Sequence, residues 1–205
     1  MITLLRAIIE HGGFTVLFIA LISLGAMTLV IERSWRLWPL HKRFKSVRER
    51  CHDTMLRGGM RAALAELTED DAMTRVLKSG LAVHERGGDT MRAAALAAAQ
   101  REVSGIERGL GLLQTASQIA PWLGLLGTVA GLMEVFGSVG DQANVTHAVA
   151  ATGIYQALAC TIAGLAVAIG SYVAYQLLSA LSSRLIDELE NAATDLPVYA
   201  AGAKA

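Results

Sequence analysis

Cysteine is nearly absent from this chain, and that removes the disulfide-stapled secreted domain from consideration first. Only Cys51 and Cys160 occur in 205 residues. One is expected in a basic loop and the other in an apolar span, which fits neither a disulfide framework, nor zinc-ligand spacing, nor a redox pair. Both are read as free thiols. Aromatic residues make up 5% of the chain, and the formal net charge is zero. The five histidines (His11, His41, His52, His84, His147) are scattered, and His147 is read as a solvated loop residue. There is no glycine loop of the kind that cradles phosphate and no nucleophile with a base in supporting context. Enzymatic activity is therefore not expected, and neither is a cofactor, a metal or a catalytic residue.

What the chain has instead is apolar length. Apolar residues make up 53% of it, with a mean hydropathy of +0.44, which points to a membrane protein. The first apolar run, FTVLFIALISLGAMTLVI, covers Phe14 to Ile31 and holds 18 residues without a charge. With its flanks it can cross about 30 Å of hydrocarbon. A cleaved signal peptide needs basic charge before the run and a small-residue cleavage site after it. Here the basic charge follows, as ERSWRLW, so a retained span is expected. The second run covers Ile119 to about Val139, and the third about Gly153 to Leu178.

The zero net charge hides segregation: 15 of the 18 Lys and Arg lie between Ile31 and Gly109. Seven of these fall within Glu32 to Arg50, beside the first span, whereas GSVGDQANVTHAVAAT between the second and third runs has one acid and no Lys or Arg. Basic residues close to a membrane end mark the cytoplasmic side. Beside a membrane, His41 to Arg50 is better explained by topology and anionic lipid than by nucleic acid. The expected organisation is an outer N-terminus (1–13), a first transmembrane helix (14–31) and a cytoplasmic helical region (32–111). A second span (112–140), an outer loop (141–152), a third span (153–181) and a cytoplasmic tail (182–205) follow. Trp35, Trp38 and Trp122 suit interfacial positions.

In the cytoplasmic region, the helix after span one is expected to meet Pro39 as a kink or early break and to end at Gly58-Gly59. One or two short helices should follow. Gly87-Gly88-Asp89 is a second break, with Asp89 or Thr90 as a cap. The alanine-rich stretch from Thr90 is strongly helix-forming and is expected to lead straight into span two.

Spans two and three are rich in small residues. Gly127 and Gly131 form a GxxxG pair, Gly124 extends it by a turn, and Gly164 lies among Gly153, Ala157, Ala159, Ala163, Ala166, Ala168 and Gly170. In lipid, such residues let helices pack closely. Spans two and three are therefore expected as an inner layer and the Leu/Ile-rich first span as an outer one. Assembly is favoured over a monomeric three-helix hairpin because small residues cover more than one face of span three. Thr128 and Thr161 lie at similar depth on these two helices. A threonine in a membrane helix can bond its own backbone; the pair can also face one cavity, which a ring of copies would turn into a narrow, uncharged pore. Glu134 lies about 120° around the helix from Thr128, near the outer end of the span. It is read as an interfacial carboxylate in a vestibule or as a bond to a neighbouring helix.

These residues resemble a known family. IAPWLGLLGTVAGLMEVF and GIYQALACTIAGLAVAI are similar to the second and third spans of the MotA/TolQ/ExbB proton-channel family. VIERSWRLW resembles the end of its first span, and REVSGIERGLGLLQTASQIAP its pre-channel helix. The likeness runs from about Gly13 to Leu178, and three spans match the ExbB/TolQ-like branch. The resemblance implies an all-α membrane protein with three transmembrane helices and long cytoplasmic helical extensions, assembling as a ring. That ring is a homopentamer in the bacterial inner membrane, N-terminus periplasmic and C-terminus cytoplasmic. It encloses an ExbD/TolR-like single-span partner, and proton motive force drives work on a TonB/TolA-like periplasmic effector, for outer-membrane transport or envelope integrity. Thr128 and Thr161 match the pore threonines. The chain departs from the best-known ExbB pattern at Gln156, where that pattern has Glu, and at Thr152 and Gly170, where it has Pro. Gln156, expected at the ion pathway, cannot ionise, so the proton carrier would have to come from the partner helix. The alternative reading is a structural or scaffolding membrane protein that conducts no ion.

Overall fold

The computed structural model describes residues 13–141 and 147–202, and within them every element is helical. Helix α1 spans Gly13–Glu66, α2 Ala72–Leu81, α3 Gly88–Glu107, α4 Leu110–Asp141 and α5 His147–Gly202, with one 3-10 turn at His84–Arg86. Residues 1–12, with the expected outer N-terminus, and 142–146, inside the expected outer loop, lie outside the described residues, as do 203–205 of the tail. The helices on either side of that loop reach further into it than the sequence suggests: Asp141 belongs to α4, and α5 begins at His147. Three helical stretches are long and apolar enough to cross a membrane, carried by α1, α4 and α5.

The chain divides into two compact units. One holds residues up to Glu32 together with Gly109–Leu177; the other holds Arg33–Arg108 together with the residues from Leu178 on. In the first unit the buried positions are mostly small (Ala26, Ala120, Ala157, Cys160, Ala168), and large apolar side chains such as Leu21, Leu24, Leu125, Ile162 and Ile169 are exposed. Such a surface suits lipid as its solvent.

The second unit has the opposite character. Leu37, Phe44 and Met55 of α1, Met73, Val76 and Leu81 of α2, Met91 and Ala95 of α3, and Leu185, Leu189 and Leu196 of α5 are buried together. His41 Nδ1 lies 2.8 Å from Glu188 Oε1, and the His52 ring meets Tyr199 edge-on at 4.4 Å. Both pairs advance by the same number of residues along α1 and α5, so the two helices run parallel here. Gly80 sits where α2 meets α3 and α5: a Cβ there would press on Leu196 and come within 3.1 Å of Ala95 Cβ and the Met91 carbonyl.

Glycines set the breaks. Pro39 neither stops nor divides α1, which passes through it. Gly59, at φ 75°, does interrupt it, so Gly13–Glu66 is two helical stretches joined at a residue only glycine tolerates easily. The N-cap of α3 is Gly87, at φ 99°, and not Asp89 or Thr90, which fall in the first turn; Thr90 Oγ1 donates to the Arg86 carbonyl at 3.3 Å. The alanine-rich helix does not run straight into span two either. It ends at Glu107, and Gly109, at φ 81°, turns the backbone before Leu110. That end is stabilised from α1: Arg33, 3% exposed, donates from Nη1 to the Gly105 carbonyl at 3.3 Å. A cation at a helix C-terminus supplies a donor to an orphan carbonyl and meets the negative end of the dipole. Helix α2 is capped by Asp71, whose Oδ1 accepts the Thr74 N–H at 2.7 Å.

Candidate functional site

Helices α4 and α5 approach each other in the first unit through residues without bulk. A Cβ on Gly124 would lie 3.1 Å from the Cys160 carbonyl and from Thr161 Cα. One on Gly127 would lie 2.9 Å from Cys160 Cβ and 3.1 Å from Thr15 Oγ1 of α1; one on Gly131, 3.1 Å from Ala157 Cβ. On α5, a Cβ at Gly164 would come 2.6 Å from the Ala120 carbonyl and 2.9 Å from Gly124 Cα. Further along, Gly153 faces the Val135 side chain. Position rises on α4 as it falls on α5, so the helices are antiparallel, with 131 against 157, 127 against 160 and 124 against 161 and 164. Gly170, by contrast, has open space around it.

This close approach brings Thr128 and Thr161 together. Their hydroxyls are in direct contact. Thr128 Oγ1 is also 3.1 Å from the Gly124 carbonyl, one turn back on its own helix, and 3.2 Å from the Ala157 carbonyl across the interface. Thr161 Oγ1 reaches the same Gly124 carbonyl at 3.1 Å. Both threonines are half-buried. The two ways a membrane threonine can be used are thus combined: Thr128 bonds its own helix and also the neighbouring one.

The chemistry of the cluster follows from counting protons. Each hydroxyl has one hydrogen to donate and two lone pairs to accept with. Two protons are shared among the Gly124 carbonyl, the Ala157 carbonyl and the two hydroxyl oxygens. The cluster therefore has acceptors to spare and no charge. A water or a protonated carboxyl brought to it finds acceptors, and rotation of either C–O bond re-aims the donors without moving a heavy atom.

Gln156 and Glu134 are not part of this cluster. Gln156 is half-buried on α5, and no described side chain or backbone group is bonded to its amide. Glu134 is exposed on α4 and makes no ion pair among the described residues. Ala157 is among the small residues that the sequence points to, whereas Cys160 and Thr15 are not. Cys160 had a signal, because Ala157, Cys160 and Gly164 repeat on α5 the three- and four-residue steps of Gly124, Gly127 and Gly131 on α4. Thr15 had none. Among the described residues no group of three or more His, Cys, Asp or Glu is placed to hold a metal ion.

A sequence profile of the MotA/TolQ/ExbB proton channel family matches residues 49–191, which include all of α2, α3 and α4 and most of α5. The chain belongs to that family. Within it, ExbB-like 1 of Synechocystis sp., named for biopolymer transport, is 34% identical over 182 residues, covering 86% of this chain and 71% of that protein. The ExbB homolog of Methanothermobacter thermautotrophicus is 35% identical over 140 residues, 68% of this chain and 48% of its own length. TolQ of the Tol-Pal system of Haemophilus influenzae is 39% identical over 90 residues, 44% of this chain and 39% of its own. The chain thus spans about half or less of the second and third of these relatives. Together they put it on the ExbB/TolQ-like branch of a proton-channel family associated with transport.

Proposed function

We propose that this protein is the channel and stator subunit of a proton-driven machine of the bacterial inner membrane. Five copies form a ring with α4 and α5 inward and the first span outward. The ring surrounds the transmembrane helix of an ExbD/TolR-like partner and turns proton motive force into work on a TonB/TolA-like periplasmic effector, in outer-membrane transport or envelope integrity. The observation that carries this reading is the threonine pair. Spare acceptors and no fixed charge suit a point where protons leave a carboxyl supplied by the partner, because Gln156 cannot ionise and Glu134 stands apart. The glycine register supports it from the packing side, since helices this close leave no room for large side chains at the pair.

The test is Thr128→Val and Thr161→Val, which keep shape and remove the hydroxyl. Each variant, co-purified with an ExbD/TolR-like partner, should still form a homopentamer by native mass spectrometry. Proton uptake into proteoliposomes should fall about tenfold, equivalent to about 1.4 kcal/mol on the limiting step. Moving one charge through 100 mV supplies only about 2.3 kcal/mol, so such a loss is not absorbed. Unchanged uptake in both variants would reduce the hydroxyls to backbone partners and favour a scaffold. Gln156→Leu should impair uptake without breaking the ring, and Gln156→Glu should be tolerated.

Topology has its own measurement. A cysteine placed at Asn144 should react with an impermeant thiol reagent in intact spheroplasts, and one placed at Arg57, which is exposed, only after lysis. The native Cys51 cannot serve as the inner probe: it lies in a helix, 2% exposed, and not in an open basic loop.

A further inference from the structure

Four residues on α1, Trp35, Trp38, Lys42 and Lys45, follow one another at steps of three, four and three. At about 100° per residue these positions share one narrow face of the helix. Leu37, Phe44, Val47 and Cys51, all buried, occupy the opposite face. Trp35 and Trp38 are 83% and 74% exposed. An indole has a large apolar body and one polar tip, so it is at home at a boundary between hydrocarbon and water and poorly placed in water alone.

The two lysines below them have charge to spare. Lys42 is exposed and has no acidic partner among the described residues. Lys45 meets only Glu49, at 4.0 Å, with the two side chains 73% and 63% exposed; such a surface pair holds a lysine weakly. Arg33 and Arg50 are engaged elsewhere, by the Gly105 carbonyl and by Glu69. Helix side chains lean toward the N-terminus, and the N-terminal neighbour of this face is the apolar run 14–31. The ammonium groups therefore reach back toward the tryptophans.

We propose that this face is a docking surface for anionic phospholipid headgroups, with Trp35 and Trp38 seated at the hydrocarbon boundary and Lys42 and Lys45 on the phosphates. It rests on the reading of 14–31 as a membrane span. Charge complementarity selects the occupant: one cation without an acidic partner and one held only weakly, beside exposed indoles, call for a ligand that is apolar at one end and anionic at the other. An acidic protein surface supplies only the second.

The experiment uses the full chain in vesicles of phosphatidylcholine mixed with phosphatidylglycerol. Trp122→Phe leaves Trp35 and Trp38 as the only tryptophans of three. Their fluorescence is quenched by brominated phosphatidylglycerol or, at the same mole fraction, by brominated phosphatidylcholine. Each lysine near an anionic surface is worth about fivefold in partitioning, so the phosphatidylglycerol should quench several-fold more efficiently. The excess should fall with added salt and vanish in Lys42→Gln/Lys45→Gln, which should still resist alkaline extraction. Equal quenching by the two lipids, or a preference that survives the double substitution, overturns the proposal. So does weak quenching by both in protein that resists extraction, because another protein surface then covers the face. Release of the protein by alkaline extraction would instead sink the span assignment beneath it.

Discussion

The two units of this chain are packed by opposite rules. In the unit containing 109–177, helices touch through Gly124, Gly127, Gly131 and Gly164, and leucines and isoleucines point outward. In the unit containing 33–108, helices touch through Phe44, Met55, Met73, Leu185 and Leu189, while Arg36, Lys42, Glu69 and Asp70 point outward. Helices α1 and α5 pass from one unit into the other without a change of secondary structure at the boundary, so helix propensity does not explain the difference. The solvent does. Water drives large apolar side chains together; lipid offers no such gain, and close backbone contact through small residues takes its place.

The most severe way to break the comparison is to put bulk where helix backbones of the first unit meet. Gly164→Leu places a Cβ 2.6 Å from the Ala120 carbonyl and 2.9 Å from Gly124 Cα. Both are backbone atoms, so neither can rotate away. Overpacking typically costs about 1–3 kcal/mol and more where backbone must move; here we expect separation of α4 from α5 and little folded protein by size-exclusion in detergent. Gly25→Leu, on α1 with no atom within 4 Å of its would-be Cβ, should be nearly silent in the same assay. If both variants behave alike, glycine spacing is not what holds α4 and α5 together.

The complementary break is truncation. Leu189 is fully buried in the second unit, and Leu189→Ala should lower stability by about 2–5 kcal/mol, the transfer loss plus the cavity. Leu125 is 53% exposed in the first unit, and Leu125→Ala should change stability by under about 0.5 kcal/mol. Denaturant midpoints of the detergent-solubilised variants check both. Equal losses would mean that side-chain burial drives the two units alike.

The first unit was the more legible in sequence, because its signals are local and categorical. Uncharged runs of span length, and glycines at three- and four-residue steps, can be read one segment at a time. Whether Thr128 used its own backbone or its neighbour could not, since that depends on the α4–α5 register. The second unit was harder. Gly59 announced its break, but Pro39 did not break α1, because the helix accommodates it with neighbours packed on Leu37 and Phe44. The break at Gly109 is masked in the sequence because the alanine-rich stretch before it is so strongly helical. The Asp71 cap and the Arg33 contact with Gly105 were invisible for different reasons. Asp71 is one acid among four near the start of α2 (Glu69, Asp70 and Asp71 follow closely on Glu66), and Arg33 reaches a carbonyl 72 residues away. The proposed ring lies beyond one chain altogether.

The two cysteines give the finest contrast, one in each unit. Cys160 lies over Gly127, with Sγ 3.4 Å from where a Cβ would be. Cys51 lies in the side-chain core, beside a small cavity lined by Val47, Arg50, Glu66, Leu67 and Thr74. Burial, and secondarily the Glu66 carboxylate, push the Cys51 thiol from about 9 up to about 11. A raised acid pKa means that the folded state holds its proton where the unfolded state releases it. Between pH of about 9 and about 11 the folded form binds more protons, so stability falls as pH rises through that window and Cys51 contributes no penalty below it. The full effect is at most about 2 kcal/mol once solvent screening is allowed for. Tyrosines and lysines titrate in the same range, so the measurement is a difference: unfolding free energy against pH for the wild type and for Cys51→Ala. The variant should lose a little stability at neutral pH and show a shallower alkaline decline. Parallel curves would mean that water reaches Cys51 freely, and that the second unit is less tightly closed than its buried side chains imply.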